Sequence, residues 1–190
     1  MEGWKVGKIL KILFESIFWP AAAGNVFWSF CSLIIKPEKG QVELISLLII
    51  LLVLSFYLTI NWLRIRTGPE SFSGLYAFFE FMHLFLIVLC SIAAQSNESS
   101  LEVLLAAFFI VTTIGHFIGA WSTDGYCWRD SLKLAAINVT GLGVIVVGSF
   151  AGVDESIRLP LSLSLVFCLW LLFGRGPEIP NIIEKVSQLR

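Results

Sequence analysis

Residues 44–63 read "LISLLIILLVLSFYLTINWL", twenty consecutive positions without a charge, closing on Trp62 just ahead of Arg64 and Arg66. A helix of that length rises about 30 Å, the thickness of a bilayer hydrocarbon core. Lipid offers no hydrogen bonds to a peptide backbone, so a run of this kind crosses as a helix that satisfies its own N–H and C=O groups. The rest of the chain repeats the pattern. Of its 190 residues 57% are hydrophobic and only 14% charged, with a mean hydropathy of +0.85, whereas ordinary globular domains carry about 25% charged residues. The expected fold is therefore an all-α, polytopic membrane bundle.

Six apolar segments are predicted, at about 12–35, 43–63, 72–95, 101–121, 131–153 and 158–174, followed by a short amphipathic tail over 176–190. With the amino terminus in the cytosol, Lys5, Lys8, Lys11, Arg64, Arg66, Arg129, Lys133, Arg175, Lys185 and Arg190 fall on the inner side, and Lys36, Lys39 and Arg158 on the outer side. That bias is what the positive-inside rule asks of short loops, and it predicts six crossings with both termini cytosolic. Trp4, Trp62, Trp121, Trp128 and Trp170 lie near the inner boundaries, as an aromatic belt does. The expected location is a bacterial inner membrane, with the lipid bilayer as the first partner.

The first segment is the least regular, since it carries Glu15, Pro20 and Asn25. One reading lays residues 4–18 flat on the membrane, with Lys8, Lys11 and Glu15 on one helical face. The preferred reading is a retained first helix, kinked at Pro20 and Gly24, with an amphipathic cytosolic start. Cys31, Cys90, Cys127 and Cys168 are scattered singly, without zinc spacing, and read as buried thiols; a Cys31–Cys90 disulfide is the alternative.

Ionisable groups inside a bilayer cost roughly 2.5 to 3.5 kcal/mol on insertion scales, so each one is a functional hypothesis. In "FEFMHLFLIV", residues 79–88, Glu80 and His83 stand one helical turn apart. Counting rise per residue from the inner boundary places Glu80 about 12 Å deep, His83 about 16 Å, Asn138 about 10 Å, His116 about 8 Å, Glu15 about 5 Å and Asn61 about 3 Å. These six are expected to form one polar cluster in the cytosolic half, with Glu80 meeting His116.

Four chemistries compete for it. A mononuclear metal site would join Glu80, His83 and His116, since Glu-x-x-His brings both side chains to one helical face. A bis-histidine haem would use His83 and His116, which differ in depth by about 8 Å. A proton or ion pathway would exploit groups whose protonation responds to burial and to each other. A structural lock would have Glu80 hydrogen-bonded to His116 or Asn138. The last is preferred, with no metal and no cofactor expected.

Gly115 and Gly119 in "GHFIG", and Gly148 and Gly152 in "GSFAG", have the small-xxx-small spacing that lets helices pack closely, within a chain or between copies. Gly141 and Gly143 add further relief in the fifth segment. Self-association is expected.

No G-x-S-x-G, H-E-x-x-H or phosphate-binding Gly-rich loop is present, which points away from an enzyme. No basic face suits nucleic acid. No repeat or matched pair of broken helices marks a secondary transporter. The 122–130 loop and the C-terminal tail are the surfaces expected to meet a cytosolic protein partner. In size and layout the chain is similar to small membrane subunits of bacterial phage-defence systems such as Kiwa, which implies a membrane component of such a system. The functional expectation is a non-enzymatic, homo-oligomeric, channel-like, sensing or anchoring subunit of a membrane complex. The alternative is a small-solute or ion transporter with an intramembrane Glu/His pathway.

Overall fold

The structure is a computed structural model that describes residues 2–36, 40–67, 74–96, 100–122, 128–174 and 184. All regular elements among them are helical: α1 (Glu2–Leu13), a π-helical turn (Phe14–Phe18), α2 (Trp19–Ile35), α3 (Gln41–Thr67), α4 (Gly74–Gln95), α5 (Leu101–Ser122), α6 (Trp128–Phe150), α7 (Glu155–Leu169) and a second π-helical turn (Trp170–Gly174). Six helices are long and apolar enough to cross a membrane, the first running unbroken from Val6 to Ile35. The chain is a multi-pass integral membrane protein by that measure. The 122–130 loop, apart from its helical ends, and the 176–190 tail, apart from Glu184, lie outside the described residues.

The spans close into a ring. α2 packs on α3 and α4, α4 on α5, α5 on α6, α6 on α7, and α7 returns to α3, while the successive helices α3 and α4 barely meet. Closure gives each helix an inner face and a lipid face, and both are apolar. Leu51 is fully buried and Leu52, the next residue, is 48% exposed. Lipid tails solvate Leu52 as well as a protein core solvates Leu51, so packing rather than hydrophobicity decides which side turns inward.

Pro20 explains the first π turn. A helical proline has no N–H to give back to the preceding turn. The chain widens to π spacing immediately before it, with the Trp19 N–H bonded to the Phe14 carbonyl. In that register the next acceptor, the Glu15 carbonyl, faces the missing N–H of Pro20. The indole N–H of Trp62 on α3 fills the gap, donating to the Glu15 carbonyl at 3.0 Å. A neighbouring helix thus satisfies the group that proline frees, as the bilayer interior requires. The irregularity sits one turn ahead of Pro20, and Gly24 lies within the regular α2 helix.

At the opposite end, α6 stops in a Schellman motif. The Val153 N–H bonds the Gly148 carbonyl at 2.9 Å and the Gly152 N–H bonds the Ser149 carbonyl at 3.1 Å. Gly152 supplies the left-handed residue, φ +69°. Asp154 then caps α7, its Oδ1 accepting from the Ser156 N–H at 2.8 Å and from the Ser156 hydroxyl.

Candidate functional site

Among the described residues, two spaces are stacked along α3 and α7. At the Asp154 end a vestibule of about 680 Å³ opens between α3, α4, α5 and α7. Its wall includes Glu43, Asp154 and Glu155, and its depth is bounded by Leu47, Ile50 and Leu159. Further along the same helices lies a cavity of about 20 Å³, lined by Tyr57, Thr112, His116, Asn138 and Trp170 among apolar neighbours including Leu54 and Leu163. That volume accommodates a single water.

The two spaces are separated by little. On α3 the vestibule reaches Ile50 and the cavity begins at Val53; on α7 the vestibule reaches Leu159 and the cavity begins at Leu163. Three or four residues of helix rise about 4.5 to 6 Å. The barrier is one turn of Ile50, Leu51, Leu54, Leu159 and Leu163, each less than 5% exposed.

All six residues of the expected polar cluster are helical. His116 on α5 and Asn138 on α6 share the small cavity. Asn138 is buried and its amide donates to the Leu134 carbonyl one turn back at 2.8 Å. Glu80 and His83 are also buried, but neither lines that cavity. The His83 ring packs on Phe108, with centroids 5.9 Å apart, and Phe108 carries the contact onward to Tyr57 at 5.6 Å. Asn61 bonds the Tyr57 carbonyl on its own helix at 3.0 Å. Glu15 pairs with Lys11, one turn earlier, at 3.3 Å. Among the described residues no three His, Cys, Asp or Glu side chains converge as metal ligands, so Glu80, His83 and His116 are not gathered as a trio.

Cys31, Cys90 and Cys168 are free thiols; Cys90 is fully buried as expected, whereas Cys31 is half-buried and Cys168 is exposed, on a membrane helix whose outer face lipid solvates as readily as a core does. Cys127 lies outside the described residues.

The glycines show where helices approach. A Cβ on Gly115 would rest at ordinary contact distance, 3.5 Å, from the Phe79 ring of α4. Gly119 is in the last turns of α5, and its surroundings lie outside the described residues. Gly148 makes room for the aliphatic stem of Arg158, 3.4 Å from a built Cβ, whereas Gly152 serves the turn rather than a helix contact. The tightest approach is at Gly141, where a Cβ would stand 2.4 Å from Val166 Cγ2 and 2.9 Å from Phe109 Cζ.

Two polar features escape the depth count. Asn25 and Ser29 on α2 face Ser91 and Gln95 on α4: the Ser91 hydroxyl donates to Asn25 Oδ1, and the Gln95 amide donates to the Ser29 hydroxyl at 2.5 Å. The sequence signal is a pair of polar residues four apart in each helix, which puts each pair on one face. Near the vestibule, Arg158 forms an ion pair with Glu102 of α5 and donates to the Val153 carbonyl at 2.8 Å.

Compared with protein-family models, with curated proteins and with solved structures, the chain matches none of them.

Proposed function

We propose that this protein is a non-enzymatic, channel-like subunit of the cell membrane, held closed by the apolar turn between its vestibule and its His116–Asn138 cavity. The observation that carries the reading is the alignment of those two spaces on the same two helices, with one turn of separation. An anchor needs neither space. A structural lock accounts for the polar residues but not for a large vestibule directly above them. Opening requires only a small outward movement of α7 against α3, and α7 carries Pro160 in its interior, where the hydrogen-bond ladder is already broken.

The charge bias of the loops orients the Asp154 end outward and both termini toward the cytosol, in a bacterial inner membrane. The subunit self-associates through exposed small residues, with open space beside Gly24 and Gly143, and meets its cytosolic partner through the 122–130 loop and the tail. The second reading is a proton-coupled transporter. It rests on His116 lining the cavity, with Glu80 and His83 buried in the neighbouring helix. Cation flux into proteoliposomes tests the proposal, comparing the native protein with Leu54→Ser/Leu163→Ser, which makes the barrier polar. The channel reading expects the variant to conduct; an equally tight variant refutes it.

A further inference from the structure

Helices α5 and α7 barely meet, since α6 packs on both. Arg158 nevertheless bridges them: its guanidinium, on α7, forms an ion pair with Glu102 of α5. The stem passes over Gly148 of α6, where a built Cβ would stand 3.4 Å from Arg158 Cβ and Cδ. A second guanidinium nitrogen, Nη1, donates to the Val153 carbonyl in the α6–α7 turn at 2.8 Å. One side chain, 12% exposed, therefore ties the start of α7 to α5 and to the end of α6. Charge-assisted bonds of this kind are about twice as strong as neutral ones. The third nitrogen, Nε, is buried and has no hydrogen-bond partner. A buried donor in that state is costly, so the tie is held less firmly than a fully paired guanidinium would be.

The next two residues give the tie its consequence. Leu159 is buried and belongs to the apolar turn between the vestibule and the His116–Asn138 cavity. Pro160 follows it, inside α7. Having no N–H to return, Pro160 leaves the Ser156 carbonyl without its helical donor, one of the bonds that would fasten the first turn of α7 to the second. Further along, Val166 is seated against Gly141 of α6, 2.4 Å from a built Cβ. Beyond the proline α7 is thus interlocked with α6, and before it the first turn is secured by Arg158 and by the Asp154 cap.

We propose that the Arg158–Glu102 ion pair is an autoinhibitory clasp, which holds the first turn of α7, and Leu159 with it, in the closed position. Its release lets that turn swing about Pro160 and joins the vestibule to the cavity. The inference rests on the channel reading above, and it names the contact that keeps the path shut. Glu102 is 26% exposed, so water reaches the carboxylate side of the clasp, and the pair parts without unpacking the buried core. A proline within a helix is where such a swing is absorbed.

The test is thiol labelling of the purified full chain in an uncharged detergent by a charged, water-soluble methanethiosulfonate. Leu163→Cys places a thiol at the cavity, across the barrier from the vestibule. Cys31, Cys127 and Cys168 are replaced by Ser, and the fully buried Cys90 is kept as an internal control. Modification at each position is followed by peptide mass. Where opening and closing are fast, the rate tracks the population of the open form. Glu102→Gln and Arg158→Gln are each expected to raise labelling at position 163 by about tenfold or more while Cys90 stays protected. Glu102→Gln leaves the Arg158 stem in place over Gly148 and so serves if Arg158→Gln does not fold. An unchanged rate at position 163 in both variants overturns the inference, as does an equal rise at Cys90, which marks general loosening of the bundle. No flux is measured, so labelling that responds to the clasp in a chain that never conducts would leave the clasp standing while the channel reading fell.

Discussion

Replacing Trp62 by Phe keeps most of the ring that packs beside Glu15 and removes one donor, the indole N–H that reaches the Glu15 carbonyl at 3.0 Å. That carbonyl is one that Pro20 cannot serve, so the variant leaves a part-buried acceptor unsatisfied. The cost of such a group is about 1–3 kcal/mol, equivalent to roughly a 5- to 150-fold shift in the folding equilibrium. Pro20→Ala returns an N–H that, in the π register of Phe14–Phe18, addresses the same acceptor. Trp62→Phe should therefore cost about 1–3 kcal/mol in the native background and under about 0.5 kcal/mol in the Pro20→Ala background, a coupling that a double-mutant cycle isolates. The Arg66 guanidinium lies 5.4 Å from the Trp62 ring; any change in that contact is common to both backgrounds and cancels. The assay is reversible unfolding in mixed micelles or by steric trapping, for all four proteins. Equal cost of Trp62→Phe in both backgrounds would refute the idea that Trp62 substitutes for the missing proline donor.

Gly141→Ala should destabilise the bundle by about 1–3 kcal/mol through overpacking against Val166 and Phe109, and Val166→Ala in the same chain should recover much of the loss, read as Tm. Asp154 titrates low because the Ser156 hydroxyl and backbone N–H, then the Arg158 charge, favour its ionised form. A carboxyl whose folded pKa is depressed adds stability above its unfolded value, near 3.8, and loses it as pH falls below that. Unfolding followed from pH 7 to pH 3 should thus show no Asp154 contribution to pH dependence above about pH 5 and a steeper acid limb than in Asp154→Asn; identical limbs would count against the cap.

The six spans were legible because uncharged length is written directly in the sequence, as in residues 44–63. Which face of each span turns inward was not, since Leu51 and Leu52 are the same residue type with opposite surroundings. Depth counting brought His116 and Asn138 to one level, and they share a cavity. Glu80 does not line that cavity, and depth alone carries no information about angle around the helix axis. The four-residue spacing of Asn25 with Ser29 and of Ser91 with Gln95 contained that angular information. Pro20 announced an irregular helix, yet its effect falls on the carbonyls of the preceding turn, so the π turn precedes it. Gly148 and Gly152 matched a packing motif that their surroundings spend on Arg158 and on a turn, while the closest approach among the described glycines belongs to Gly141.

The central claim is that one apolar turn closes the way between the vestibule and the His116–Asn138 cavity. Cation currents through planar bilayers or proteoliposomes containing Leu54→Ser/Leu163→Ser test it most directly, with Leu52→Ser, a lipid-facing change on the same helix, as the control. The account predicts current through the double variant and none through the control. A folded, monodisperse double variant that stays as tight as the native protein, or a control that leaks equally, would contradict it.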